Sequence, residues 1–375
     1  MCGICGIARK EKNVSETLIR KMASTMVHRG PDEEGFQLFD NVGLGHRRLR
    51  IIDLTTGKQP MSNENNTIFL ICNGEIYNFR DLRNLLEARG HTFKTKSDNE
   101  VILHLYEQHG TECLKFLRGM FAFAIWDDRN KTLFLSRDRL GKKPLVYSIK
   151  SQSIYFASEI KALLEVEEIS REIDRKAIDL FLTYQAIPAP WTIFKEIKKI
   201  PPAHYLVWKE GQVKIERYWQ IDFTRKLTLK DEQEYIDAMW EKLVESTRLR
   251  MIADVSLGAF LSGGIDSSTI VGIMSENSKE PVKTFSIGFE ETDFSELHYA
   301  RIVAQKFATN HNEFIVKPDV ISILPELVWY YNEPFADSSM VPTYYVARET
   351  RKHVIVALNG DGGDENFAGY SKYYL

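Results

Sequence analysis

From residue 228 onward the chain alternates without exception between strand-like and helix-like runs. Apolar stretches at 255–261, 282–289, 312–316 and 353–358 are separated by helical periodicity, and a long helical stretch ahead of them carries Tyr235, Met239, Leu243 and Thr247 in one stripe. Parallel strands cannot be joined by a tight hairpin and need a crossover, usually a helix, so this pattern predicts a parallel sheet with crossover helices. The last strand-like run is followed by a Gly-rich loop and a segment patterned like a helix start. A C-terminally incomplete domain is therefore expected.

The first 165 residues are patterned differently. Strand-like runs at 67–72, 120–126, 132–136, 145–149 and 154–157 outnumber the helical ones at 79–89 and 99–109. A further helix is expected where Asn13-x-x-Glu16 resembles a capping box and Val14, Leu18, Met22 and Met26 follow at helical spacing. Many strands with few helices predict sheets packed between helices. The run 67–72 ends at Asn73-Gly74, a turn signal. Two more strand-like runs, 205–208 and 213–218, follow a Pro-rich stretch with Pro188, Pro190, Pro201 and Pro202. Two domains are expected, 1–222 and 223–375.

A formal net charge of −3 speaks against a nucleic-acid binder, which normally shows a basic surplus. No apolar run reaches the ~18 residues of a membrane span. The start, Met1-Cys2-Gly3-Ile4-Cys5-Gly6, lacks the charged and apolar regions of a signal peptide, so a cytoplasmic location is expected. Four scattered cysteines make no disulfide scaffold, and Cys2-x-x-Cys5 has no second ligand pair for a structural zinc. Cys5 reads as a small buried residue.

Cys2 is different. Once Met1 is removed, one residue carries both a thiol and a free α-amine, whose pKa near ~7.7–8.0 suits a base at neutral pH. This is an N-terminal nucleophile. Asn73 and Gly74 could supply an oxyanion hole from a side-chain amide and a backbone N–H. Arg48 offers a planar fork for an α-carboxylate, and Asp98 could receive an ammonium. Each has a plainer reading: Cys2 as an ordinary second residue, Arg48 as a solvated arginine, Asn73 as a turn residue, Asp98 as a helix cap.

The run 255–261 leads into Ser262-Gly263-Gly264-Ile265-Asp266-Ser267-Ser268, with a helix expected from about Thr269. Two glycines admit close approach of a polyanion, and hydroxyls with first-turn N–H groups supply donors at the carboxyl end of a strand. Neither a Walker A loop nor G-x-G-x-x-G occurs in the chain. A second acidic loop, Asn359-Gly360-Asp361-Gly362-Gly363-Asp364-Glu365, follows the last strand.

Six motifs, in order, resemble the class II glutamine amidotransferase domain. They are Cys2-Gly3-Ile4, His28-Arg29-Gly30-Pro31-Asp32, His46-x-Arg48-Leu49-x-Ile51-x-Asp53, Asn73-Gly74-Glu75-Ile76-Tyr77-Asn78, Ser97-Asp98-x-Glu100 and Gly119-Met120-Phe121-Ala122-Phe123-Ala124. The resemblance implies an Ntn-type α-β-β-α sandwich of antiparallel sheets. It implies Cys2 as nucleophile, Asn73 and Gly74 as oxyanion hole, and Arg48, Asn73, Gly74, Glu75 and Asp98 as the glutamine site.

The loop at 262–268 resembles the pyrophosphate loop of ATP pyrophosphatases, and the whole chain resembles the asparagine synthetase type. That likeness implies an ATP site of Ser262, Gly263, Gly264, Asp266, Ser267, Ser268, Ile287, Gly360 and Asp361, with Asp266 and Asp364 near Mg²⁺. Asn359 departs from the serine usual there. The implied reaction amidates a carboxylate with glutamine and ATP, aspartate being favoured and a sugar acid of surface-polysaccharide synthesis the alternative. The loop at 262–268 counts against glucosamine-phosphate synthase and amidophosphoribosyltransferase, which share only the front half. A homodimer is the expected assembly, without nucleic-acid or membrane partners. The non-catalytic alternative is a nucleotide-sensing module, which retention of Met1 would favour.

Overall fold

The computed structural model describes all residues except 12, 290–294, 318, 374 and 375. The chain divides into two compact units, Met1–Thr224 with Val328–Ala336, and Arg225–Leu327 with Asp337–Leu375.

The first unit holds two six-stranded antiparallel sheets. In spatial order one consists of Lys198–Lys199, Val146–Lys150, Ser153–Ala157, Gly3–Ala8, Val42–Arg48 and Glu33–Leu38. The other consists of Gln212–Arg217, His204–Lys209, Thr132–Arg137, Gly119–Asp127, Ile68–Ile76 and Met61–Ser62. Side chains alternate between the faces of a strand, and Gly3–Ala8 shows the consequence. Ile4 and Ala8 join a core with Ile71, Ala124 and Trp126 of the facing sheet. Cys5 and Ile7 point the other way, against Ile19, Met22 and Ala23 of the helix Glu16–Ser24 and against Ala162 and Leu163. Helices Phe79–Glu87 and Glu100–His109 lie on the far side of the second sheet, where Tyr106 stacks on Phe134. The result is the α-β-β-α sandwich, and its first strand begins one residue after Cys2.

Three local expectations are corrected. Asn73-Gly74 is no turn: Ile68–Ile76 is one strand, with Asn73 opposite Ala122 and Gly74 opposite Phe121. Glycine serves close packing here, because a Cβ on Gly74 would stand 2.4 Å from Met120 O. The capping box at Asn13 does not form either. The helix starts at Glu16, and Val14 N–H is instead bonded to Asp40 O, which holds the chain extended. In the second unit the helix after 262–264 starts at Ile265, not near Thr269, with Gly264 in extended conformation before it.

The second unit has four parallel strands in the order Asn310–Val316, Lys283–Phe289, Leu257–Phe260, Val356–Leu358. Val271 and Met274 of the helix Ile265–Asn277 pack with Ala300 and Ala304 of the helix Leu297–Lys306 in one core. Ile323, Leu327 and Tyr345 pack with Ile287, Phe289 and Phe314 in another. Helices thus cover both faces. Of the stripe on the long helix Glu232–Arg250 only Thr247 is buried, while Tyr235 and Met239 are close to half exposed. The helix expected after the last Gly-rich loop forms at Gly363–Phe367, ends at Ala368 in left-handed conformation, and is followed by a 3₁₀ turn at Ser371–Tyr373. Among the described residues no helix is long and apolar enough to cross a membrane.

Candidate active sites

In the first unit Cys2, Arg48, Asn73, Gly74, Glu75 and Asp98 line one pocket. Four separate segments bring them there: the chain start, the end of Val42–Arg48, the strand Ile68–Ile76, and the loop before Glu100–His109. Leu49 N–H points at Cys2 Sγ (3.4 Å), and Arg29 Nε donates to Cys2 O at 2.9 Å. Burial raises the thiol pKa, while the positive N-terminus, the Leu49 N–H, Arg48 and Lys143 pull it back.

Asn73 is 1% exposed, and neither its side-chain nitrogen nor its oxygen has a hydrogen-bond partner. Such groups are rare in folded proteins and costly, on the order of 1–3 kcal/mol each. Arg48 has part of its fork committed: Nη1 donates to Glu33 Oε2 at 2.9 Å, and Nη2 donates to Asp53 O. A guanidinium has five N–H donors, so others remain for a ligand.

Asp98 does not cap the following helix. Its Oδ2 accepts from Ile76 N at 2.7 Å, on the strand that carries Asn73. Burial pushes its carboxyl up to about 7; the Ile76 bond opposes that shift and the Glu75 charge adds to it.

Lys143 and Gln59 also line this pocket and were not singled out from the sequence. Lys143 is 6% exposed, with its pKa lowered by burial against the raising influence of Glu75 and Cys2. Its only local signal is a basic pair, Lys142-Lys143, ahead of a strand, and that pattern is too common to mark a site. Gln59 Oε1 accepts from Cys72 N at 2.6 Å, which ties a loop to the strand wall.

In the second unit the strand Leu257–Phe260 lies between Lys283–Phe289 and Val356–Leu358. The chain proceeds outward through 283–289 and 310–316 and then returns to the opposite side of 257–260. Open parallel sheets bind ligands at such a reversal, beyond the strand carboxyl ends. The two loops that begin there, 262–264 and 359–362, are packed together. A Cβ on Gly360 would stand 2.8 Å from Asp266 Cβ, and one on Gly363 would stand 2.3 Å from Asp266 Oδ2.

Gly263 has φ +88°, and a side chain there would strike Tyr299. Ser262 Oγ accepts from Gly264 N at 3.2 Å and lies 3.0 Å from Ser267 Oγ, while Ser268 Oγ is buried without a hydrogen-bond partner. Burial raises the Asp266 pKa, and the charges of Asp364 and Glu365 add to it. Asn359 Nδ2 donates to Asp361 Oδ2 at 2.6 Å, a bond internal to the loop. Ile287 lines a separate recess with Leu261, Ser262, Ser286 and Thr343.

The glutamine amidotransferase domain family matches residues 1–219, and the asparagine synthase family matches residues 238–375. The glutamine-hydrolyzing asparagine synthetase 1 of Bacillus subtilis is 40% identical over 100% of this chain, which spans 59% of that protein's length. The putative glutamine-hydrolyzing asparagine synthetase 2 of Methanocaldococcus jannaschii is 38% identical over 99% of this chain and 76% of its own length. Amidase chry2 of Gibberella zeae is 32% identical over 93% of this chain and 54% of its own. With both domain families matched in this order, and with likeness along the whole chain, the protein belongs to the glutamine-hydrolysing asparagine synthetase family.

Proposed function

We propose that this chain carries the two sites of a glutamine-dependent, ATP-dependent amide ligase. The observation that bears most weight is the unbonded side-chain amide of Asn73, buried on the wall of the pocket that holds Cys2. An amide left without partners in the resting protein is prepared for a ligand atom, and an oxyanion formed beside Cys2 would supply it.

In this reading Met1 is removed and the Cys2 α-amine takes the thiol proton. The sulfur adds to the glutamine carboxamide carbon, and the oxyanion is held by Asn73 Nδ2 and Gly74 N–H. Collapse of that adduct breaks the C–N bond, the proton leaves with ammonia, and water later releases glutamate from the thioester. Arg48 holds the substrate carboxylate, and Glu75 and Asp98 hold its ammonium.

The loop Ser262–Gly264 with the first turn Ile265–Ser268 receives the ATP phosphates, together with Gly360 and Asp361, and Ile287 borders the adenine. The close acidic grouping of Asp266, Asp364 and Glu365 suits a hard cation with oxygen ligands, so Asp266 and Asp364 would hold Mg²⁺. When bound, that ion neutralises phosphate charge. The acceptor carboxylate attacks the α-phosphorus and expels pyrophosphate, then ammonia displaces AMP. We place the enzyme in the cytoplasm.

Aspartate is the acceptor best supported, since relatives at 38–40% identity carry the asparagine synthetase name. The test is product analysis by mass spectrometry with glutamine, Mg-ATP and aspartate. Asparagine with equimolar AMP is the expected result, and AMP formation with a sugar acid instead would replace aspartate. Cys2→Ala is expected to abolish glutamine-driven synthesis while added ammonium salts still support it. Full glutamine-driven activity in that variant would refute the reading.

A further inference from the structure

The first unit has a second polar cluster, apart from the residues that line the Cys2 pocket. Glu64 reaches it from the loop before Ile68–Ile76, and His91 from the segment after Phe79–Glu87. His104 and Glu107 lie three residues apart on Glu100–His109 and so share a face. One ligand atom from each of the four lies within 4.8 Å of the others. His91 Nδ1 is 3.2 Å from Glu64 Oε1 and 3.8 Å from Glu107 Oε2, and His104 Nδ1 is 3.4 Å from Glu64 Oε1. His104 is fully buried, and its ring nitrogens lie at ion-pair distance from Glu64 and Glu100 without a well-aligned hydrogen bond, while buried Glu107 Oε2 has no hydrogen-bond partner. Buried polar atoms left like this call for a partner.

We propose that Glu64, His91, His104 and Glu107 form a structural site for a divalent transition-metal ion, zinc by its donor set. Two imidazole nitrogens and two carboxylate oxygens match a four-coordinate zinc centre, and two carboxylates balance its charge. Magnesium or calcium would ask for six or more oxygens.

The surroundings are those of a metal centre. His104 Nε2 faces Glu100 Oε1 at 3.6 Å, the placement of a carboxylate that orients a ligating histidine from behind. Glu107 Oε1 accepts from Asn63 Nδ2 at 3.1 Å, and Glu64 Oε1 accepts from Thr92 N at 3.0 Å. Metal–ligand bonds of about 2.0–2.2 Å require the four atoms to draw in by roughly 1 Å. The site clips three segments together. One of them begins with Glu100, whose carboxylate accepts from Lys94 N and Thr95 N and so shapes the 94–98 loop that ends at Asp98. The ion would therefore stiffen one wall of the amidotransferase pocket without touching substrate.

The experiment uses the full chain, stripped with chelator and titrated with Zn²⁺ alone against a chromophoric competitor. Parallel titrations use Cys2→Ala, so that the thiol is removed as a ligand. Stoichiometric binding is expected in both, with a higher Tm and, with Co²⁺ as probe, the visible absorption of a tetrahedral ion. His91→Gln and Glu107→Gln remove partly exposed ligands and spare buried His104, so the fold survives. Each should weaken zinc binding at least about tenfold. Absence of stoichiometric binding, binding indifferent to both substitutions, or binding lost only with Cys2→Ala would overturn the proposal.

Discussion

At the residue scale, Asp98 sets a pH dependence. Its carboxyl is raised to about 7, first by burial, whereas an unfolded chain would hold it near ~3.9. With the folded value raised, its contribution to stability is fully present below ~4 and is lost as pH rises through about 7. Asp98→Asn stays neutral and escapes that loss. Its urea midpoint relative to the parent should therefore climb between about pH 4 and pH 7 and level off above that, and parallel curves would show that Asp98 is not buried in this way. The same substitution removes the proposed ammonium partner, so glutamine hydrolysis should fall by on the order of 100-fold. In the parent, kcat/KM for glutamine should rise through neutrality, because only the ionised carboxylate attracts the ammonium.

At the scale of single elements, Ile68–Ile76 both builds the sheet and presents the site. Its Asn73 and Gly74 are held in register by Phe121 and Ala122 on the neighbouring strand. Gly74→Ala would press a methyl group against Met120 O and the Phe121 backbone, neither of which can move aside as a flexible side-chain end would. The expected cost is about 1–3 kcal/mol, read as a lower denaturation midpoint, together with a loss of glutaminase activity as Asn73 shifts. Gly90→Ala is the comparison: a Cβ there meets nothing within 4 Å, and only its positive φ resists the change. If the two variants proved equally stable, close strand approach would not be what demands glycine at 74.

At the scale of the whole molecule, the chain returns to its first unit after a hundred residues in the second. Val328–Ala336 is fastened there by specific bonds. Asn332 Oδ1 accepts from Lys161 N at 2.9 Å, Lys161 Nζ lies 3.6 Å from the centre of the Trp329 ring, and Glu333 pairs with Lys199 while accepting from Ile193 N. The side chains of Asn332 and Glu333 are thus taken up by contacts within the first unit. Glu333→Ala leaves Lys199 without its carboxylate in a mostly buried setting. Since both groups keep some solvent, a loss of about 1–2 kcal/mol is expected from the unfolding transition of the first unit. An unchanged transition would mean that the ion pair does not hold the segment.

What could be read from the chain alone was whatever repeats or adjoins locally. Strict alternation in 255–358 announced the parallel sheet, and strand-rich periodicity announced the sandwich, because burial periods of two and 3.6 are written into neighbouring positions. Cys2, Arg48, Asn73, Gly74, Glu75 and Asp98 stood out because each sits within a short recognisable motif, and folding brings them to one pocket. Tertiary structure alone decided that Asn73-Gly74 lies inside a strand, since a glycine demanded by a neighbouring backbone is locally identical to one demanded by a turn. It alone brought Lys143 and Gln59 beside Cys2, docked 328–336 on the first unit, and gathered Glu64, His91, His104 and Glu107. Apart from His104 and Glu107 on one helix, those residues lie far apart along the chain, and only the packing of strands and helices against one another sets the distances between them.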